Sequence, residues 1–204
     1  MSKQDKDRTK PARYKLQELL HEGATGQLYR AHDKQEDVPV LLKLVSESLS
    51  REPEFRRYIH DRWAERENLF EHPNLARVIE LGRSGNCYYM ALEDPGGVSL
   101  QEKMSESPLP PKEAMDVLHQ IAEGLRAAHR RNIIHGHLKP SDIYVTRDSA
   151  GRPLVKVMFL DMGTSTGDSL LTIFGDIQGT PKYMAPDVIR GRSPHAGSDI
   201  FSFG

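Results

Sequence analysis

His135-Gly136-His137-Leu138-Lys139-Pro140-Ser141-Asp142 is the stretch on which the fold assignment turns, and its meaning comes from its neighbours on either side. Before it, Pro110 and Pro111 suit a helix start. Met115, Leu118, Ile121, Leu125 and Ala128 then recur at three- and four-residue spacing, which predicts a helix with one buried face running up to Asn132. After it, Ile143 to Thr146 and Leu154 to Leu160 are strand-like, and Asp148-Ser149-Ala150-Gly151 between them predicts a hairpin turn. A loop thus follows a buried helix and leads directly into a hairpin.

Further towards the N-terminus the periodicity changes to that of strands. Tyr14 and Leu16, a glycine turn from Gly23 to Gly26, Leu28 and Tyr29, and the run Val38 to Val45 predict a small antiparallel sheet. From Glu54 to Glu71, Phe55, Ile59, Trp63 and Phe70 mark one face of an amphipathic helix amid many charges. Beyond His72-Pro73-Asn74, Ala76 to Leu81 and Asn86 to Glu93 read as two more strands. The cluster Asp94-Pro95-Gly96-Gly97 then breaks the chain, as a hinge between two lobes would.

Composition narrows the function classes. Among 204 residues, 37% are hydrophobic and 28% charged, as in a globular unit with a real core. Twenty-eight basic and 29 acidic residues give a formal net charge of -1, so no overall basic field attracts nucleic acid or an anionic membrane. Cys87 is the single cysteine, which excludes an internal disulfide and a thiolate zinc cluster and suits a reducing compartment; packing accounts for it. Met1 to Lys10 is polar, neither a secretory signal nor a membrane span, so residues 1–12 read as a solvated tail and the expected location is cytoplasmic.

One ordered set of segments joins these parts. It comprises Gly23 and Gly26, Lys43 within Val40-Leu41-Leu42-Lys43, His72-Pro73-Asn74, Glu93, the 135–142 loop, Asp161-Met162-Gly163, Gly179 to Asp187 and Ser198 to Gly204. From residue 13 onward the chain resembles the protein kinase family in both order and spacing, and its phrasing is similar to bacterial serine/threonine kinases of the eukaryotic type. The resemblance implies an α+β, protein-kinase-like bilobal fold. It would have an N-lobe of antiparallel sheet plus one helix (13–93), a hinge (94–97) and a mainly helical, incomplete C-lobe (98–204). The matching segment ends within the long helix of the lower lobe, so exposed apolar surface and self-association are expected.

The resemblance also assigns roles. ATP with Mg²⁺ or Mn²⁺ would be the cofactors, and a protein the substrate or partner. Gly23, Gly26, Leu28, Leu41, Lys43, Glu93, Pro95 and Tyr144 fall on nucleotide-site positions, Asp142 and Asp161 on metal positions, and His137 and Lys139 on catalytic-loop positions. Several of these residues have the wrong chemistry. His21 replaces the loop's first glycine, and Trp63 stands where the glutamate partner of Lys43 belongs, with Glu67 one turn later. Leu41 and Tyr144 add bulk at adenine positions, and Pro95 has no N-H where the hinge should donate one.

In the catalytic loop, His137 replaces the aspartate that accepts the substrate's proton, Gly136 the arginine of the activation clamp, and Asp142 the metal-binding asparagine. A pseudokinase that regulates or scaffolds is therefore expected, with ATP binding weak or absent. The alternatives are a slow, active serine/threonine kinase and a nucleotide or metal sensor that binds without transfer.

Overall fold

Glycine at the first turn and an aspartate-stabilised second turn give three consecutive strands, β1 (Tyr14–Gly23), β2 (Gly26–Asp33) and β3 (Val38–Val45). The computed structural model describes residues 11–23, 25–53, 55–57, 59–60, 71–158 and 181–204. These fall into two units, one built from the residues up to 60 together with 77–94, the other from 71–76 and the residues from 95 onward.

In the first unit, α1 (Glu47–Arg51) follows β3, and Ser46 caps its N-terminus. The strands β4 (Val78–Ser84) and β5 (Cys87–Glu93) complete an antiparallel sheet ordered β1-β2-β3-β5-β4. β4 starts two residues later than the pattern at Ala76 suggests, because the Ala76 N-H donates to the Val157 carbonyl in the second unit's own network. Helical backbone is present at 55–57 and 59–60, with Phe55 and Ile59 buried as expected. Trp63, Glu67 and Phe70 lie outside the described residues.

Both faces of the central strand β3 are covered. Val40, Leu42 and Leu44 pack with Tyr14, Ala31, Tyr89 and Ala91 into the core on one face. Each fully buried aliphatic side chain of this kind contributes about 1.5–3 kcal/mol. The two-residue period puts Leu41 and Lys43 on the other face, beside Leu28, Met90 and Leu92 in the paired strands.

Polar groups fasten the sheet at its edges. Arg13 donates from Nε and Nη2 to the fully buried Asp33 carboxylate at 2.6 to 3.0 Å, and Asp33 also accepts the Gln35 N-H, which closes the β2–β3 turn. Glu80, on the far edge strand, accepts from Arg13 at 3.1 Å, Tyr14 Oη at 2.6 Å and Tyr89 Oη at 2.7 Å. Burial, and next the Glu80 hydrogen bond, push both tyrosines well above the usual phenol range.

The second unit contains β6 (Val98–Ser99), α2 (Leu100–Glu106), α3 (Pro111–His129), β7 (Ile143–Arg147), β8 (Pro153–Val157), α4 (Pro186–Ile189) and α5 (Ala196–Phe203). The strand order is β6-β7-β8, and Asp148 closes the predicted hairpin by accepting from the Ala150 and Arg152 amides. Asn74 links its loop to this hairpin and to α3, since its side-chain amide donates to the Val155 carbonyl and to Gln120.

The helix α3 begins at Pro111, as its sequence predicts, but its buried face is Val117, Ile121, Gly124, Leu125 and Ala128. Met115 and Leu118 are exposed, a departure from the expected stripe. At about 100° per residue, Met115 lies about 120° round the helix from Ile121 and cannot share its face. Ile200 and Phe201 on α5 are exposed as well. Among the described residues, no helix is long and apolar enough to cross a membrane.

Arg13, by its hydrogen bonds, holds the Asp33 carboxyl below the usual carboxylate range. The folded state therefore binds this proton less readily than the unfolded chain does, so the stabilisation is present above about pH 4 and fades as pH falls through the folded value. Replacing Asp33→Asn is expected to cost about 1.5–3 kcal/mol at neutral pH, and less near pH 3. Urea unfolding at both pH values measures it, and a loss independent of pH contradicts the assignment.

Candidate functional site

The glycine turn of the first unit positions Lys43. β1 and β2 pair from Tyr14↔Asp33 to Gly23↔Gly26, and Leu28 lies opposite Lys43. Thr25 sits in the turn: its carbonyl accepts the Ser46 N-H, and its hydroxyl accepts from Lys43 Nζ at 3.1 Å. Lys43 is buried, with only 8% of its surface exposed, so its ammonium points inward along an apolar strand rather than out to water.

Gly26 adopts φ 131°, and a Cβ there would stand 1.9 Å from the Leu44 carbonyl oxygen. Only glycine fits where β2 passes so close to β3. Leu28, Leu41 and Lys43 thus lie on one face of one sheet, as the sequence assignment needs, and Leu41 is fully buried. Glu93 ends β5, its N-H donating to the Arg77 carbonyl at 2.9 Å. Next to it, Asp94 accepts from Arg30 at 3.0 Å.

In the second unit, Pro95, Gly96 and Gly97 lead into β6, with Gly96 and Gly97 both at positive φ. Tyr144 on β7 is buried and pairs in register with Ser99, the residue that caps α2. The 135–142 loop is anchored from α5. Asp199, 1% exposed, accepts the His135 N-H at 2.8 Å on one carboxylate oxygen and the Gly136 N-H at 2.7 Å on the other, and pairs with His129 Nε2 at 2.7 Å. Hydrogen bonds to a buried carboxylate are strong, so this contact fixes the path of the loop.

Two histidines converge inside the loop. His135 Nε2 lies 3.1 Å from the Met158 carbonyl oxygen, which can only accept, so that nitrogen carries the proton. Burial first, and the neighbouring His137 second, hold the His135 pKa well below the ordinary histidine value, so its ring is neutral and Nδ1 presents a lone pair. His137 Nδ1 is 3.3 Å away and donates to it, with ring centroids 5.1 Å apart.

Lys139 precedes a short 3₁₀ turn, Pro140–Asp142, and its carbonyl accepts the Asp142 N-H. Asp142 is buried, and its carbonyl accepts the Met158 N-H at 2.8 Å. Asp161, the other predicted metal residue, lies outside the described residues, as do Met162, Gly163 and the segment up to Thr180.

A five-stranded antiparallel sheet with a buried lysine on β3, and a catalytic-type loop tied to a helix aspartate, define a kinase-like fold. The chain belongs to the protein kinase family, whose protein kinase domain model matches residues 14–204. It is 30% identical over 199 residues to the serine/threonine-protein kinase PknB of Mycobacterium tuberculosis, a match covering 94% of this chain and 31% of that protein. It is 28% identical to PrkC of Bacillus subtilis and to pkn2 of Myxococcus xanthus, spanning 29% and 23% of their lengths. The chain thus spans less than a third of the length of these curated relatives. The crystal structure of the M. tuberculosis PknI kinase domain superposes with a TM-score of 0.72 at 21% identity, covering 96% of this chain and 73% of that one.

Sequence reasoning did not find the role of Asp199. The available signal was a lone acid in the first turn of an otherwise apolar helix start. Asp199→Ala is expected to destabilise the chain by about 3–5 kcal/mol, since the buried His135 amide and the part-buried Gly136 amide lose their acceptor. Urea denaturation measures the loss, and amide exchange at His135 and Gly136 should accelerate beyond that of α3. Unchanged protection at those two amides contradicts the anchoring role.

Proposed function

We propose that this chain is a protein-kinase-fold module without phosphoryl-transfer activity that regulates or scaffolds a protein partner. His137 carries the reading. The position where the family keeps its proton-accepting carboxylate holds an imidazole, and that imidazole is engaged with a neutral His135 at 3.3 Å. Loss of a well-placed general base costs about 10² to 10⁴ in rate.

Three nucleotide positions support the same reading, each within its own unit. Leu41 is fully buried and Tyr144 nearly so, both bulkier than the residues the family keeps at its adenine site. Pro95 cannot donate a backbone hydrogen bond, a loss of about 1–3 kcal/mol for any purine that needs it. Binding of ATP with Mg²⁺ or Mn²⁺ through Gly23, Gly26, Leu28, Leu41, Lys43, Glu93, Pro95, Tyr144, Asp142 and Asp161 is accordingly weak or absent. The domain spans 13–204, hinged at 94–97, and works in the cytoplasm on a protein partner.

One observation favours a second reading, a slow serine/threonine kinase with Lys139 and His137 in the catalytic loop. Lys43 is buried, faces inward and reaches the glycine turn. The curated relatives are named serine/threonine kinases. A nucleotide or metal sensor shares the binding half of that reading.

Thermal-shift titration separates the three. Millimolar ATP with Mg²⁺ or Mn²⁺ should move the midpoint by less than about 1 °C, because a ligand near or below its Kd stabilises little. Radiolabelled phosphate transfer should stay at background even in His137→Asp. A shift of several degrees without transfer identifies a sensor; transfer abolished by Lys43→Ala identifies a working kinase.

A further inference from the structure

The 135–142 loop gathers a set of three ligands, two of which are histidines that phosphoryl transfer does not use to hold a metal. His135, His137 and Asp142 each offer a ligand atom, and these atoms all lie within 4.8 Å of one another. Two imidazoles and one carboxylate form a nitrogen-rich set that suits a borderline transition ion and is poor for Mg²⁺, which prefers oxygen.

The geometry fits an ion of that size. In a tetrahedral zinc site with bonds of about 2.0–2.1 Å, neighbouring nitrogens lie about 3.3 Å apart. The two Nδ1 atoms stand 3.3 Å apart already. An ion between them takes the place of the proton that His137 shares with His135; that proton moves to Nε2 of His137, so the ring stays neutral and its Nδ1 offers a lone pair. An Asp142 carboxylate oxygen lies within 4.8 Å of a ring nitrogen of each histidine, so side-chain movement of the half-buried His137 and of Asp142 brings it to bonding distance.

The surroundings already hold two of the ligands in place. The peptide groups of Met158 clamp both: its carbonyl accepts from His135 Nε2 at 3.1 Å, and its N-H donates to the Asp142 carbonyl at 2.8 Å. A metal-binding histidine commonly has its second nitrogen fixed in this way, which sets the tautomer and aims the other nitrogen at the ion. Gly136, at φ 86° and held by Asp199, turns the chain so that the rings on either side of it meet.

We propose that His135, His137 and Asp142 form a nucleotide-independent site for a divalent transition ion of the Zn²⁺ class, bound through two imidazole nitrogens and a carboxylate oxygen. At least one coordination position is left for water or a partner's side chain. The site differs from the family's nucleotide-linked Mg²⁺ arrangement in two of its three ligands. It does not depend on whether ATP binds.

The test uses the purified chain stripped with a chelator. Zn²⁺ is titrated against a chromophoric chelator, and Co²⁺ is followed by its visible d–d absorption. The expected result is one ion per chain with a Kd of about 10 μM or tighter, undisturbed by millimolar Mg²⁺. His137→Ala and Asp142→Asn should each weaken binding about 100-fold while still melting cooperatively, whereas the exposed His119→Ala should bind as the parent does. As a check independent of mutation, Zn²⁺ should shift the imidazole nitrogen resonances of His135 and His137 ahead of the other histidines. No saturable binding at about 100 μM Zn²⁺, equal affinity in His137→Ala, or nitrogen shifts confined to other histidines overturns the site.

Discussion

A buried carboxylate must be surrounded by donors, and the second unit is organised around meeting that demand at Asp199. Its two oxygens take the consecutive amides of His135 and Gly136 and the imidazole of His129, so the end of α3, the 135–142 loop and the start of α5 converge on one charge. The amides belong to the backbone, so the contact is indifferent to which side chains the loop carries. The loop can therefore keep its path while its chemistry changes completely, as His137 and Asp142 show.

The first unit separates architecture from chemistry in a different way. Gly26 is demanded by the Leu44 carbonyl 1.9 Å from where its Cβ would be, and Lys43 is engaged by Thr25 in the turn and flanked by apolar strand residues. Both residues thus have structural reasons to persist whether or not a nucleotide is ever bound. Their presence weighs less for catalysis than the motif match alone suggests.

The parts of the fold legible in the sequence were those governed by local periodicity and turn chemistry. The strands from Tyr14 to Val45, the Pro111 start of α3 and the Asp148 hairpin all follow from spacing and breakers. Harder to read were features set by long-range contacts. Nothing near Asp199 in sequence announces amides more than 60 residues away, and nothing near Met158 announces that its backbone N-H and carbonyl would bond Asp142 and His135. Met115 and Leu118 illustrate the converse: apolar residues at helical spacing look buried until the centre of the stripe is known, and here Ile121 and Ala128 set it. The site residues Leu28, Leu41 and Lys43 were picked out by the family resemblance, and the β2–β3 register is what puts them on one face.

Compared with the family pattern it resembles, the loop has exchanged an acid for an imidazole at 137 and gained an acid at 142. The formal charge of the loop carboxylates is conserved, but their location is not. The carboxylate has moved from a half-buried position to one only 4% exposed, beneath a pair of imidazoles. A carboxyl group at 137 would have been an acceptor for an incoming hydroxyl; at 142 it is a recessed oxygen donor near a neutral His135. Proton transfer to a substrate needs an accessible acceptor, whereas holding a small cation needs a recessed one with nitrogen donors beside it. On the proposed reading, the same two exchanges that remove the first capacity supply the second.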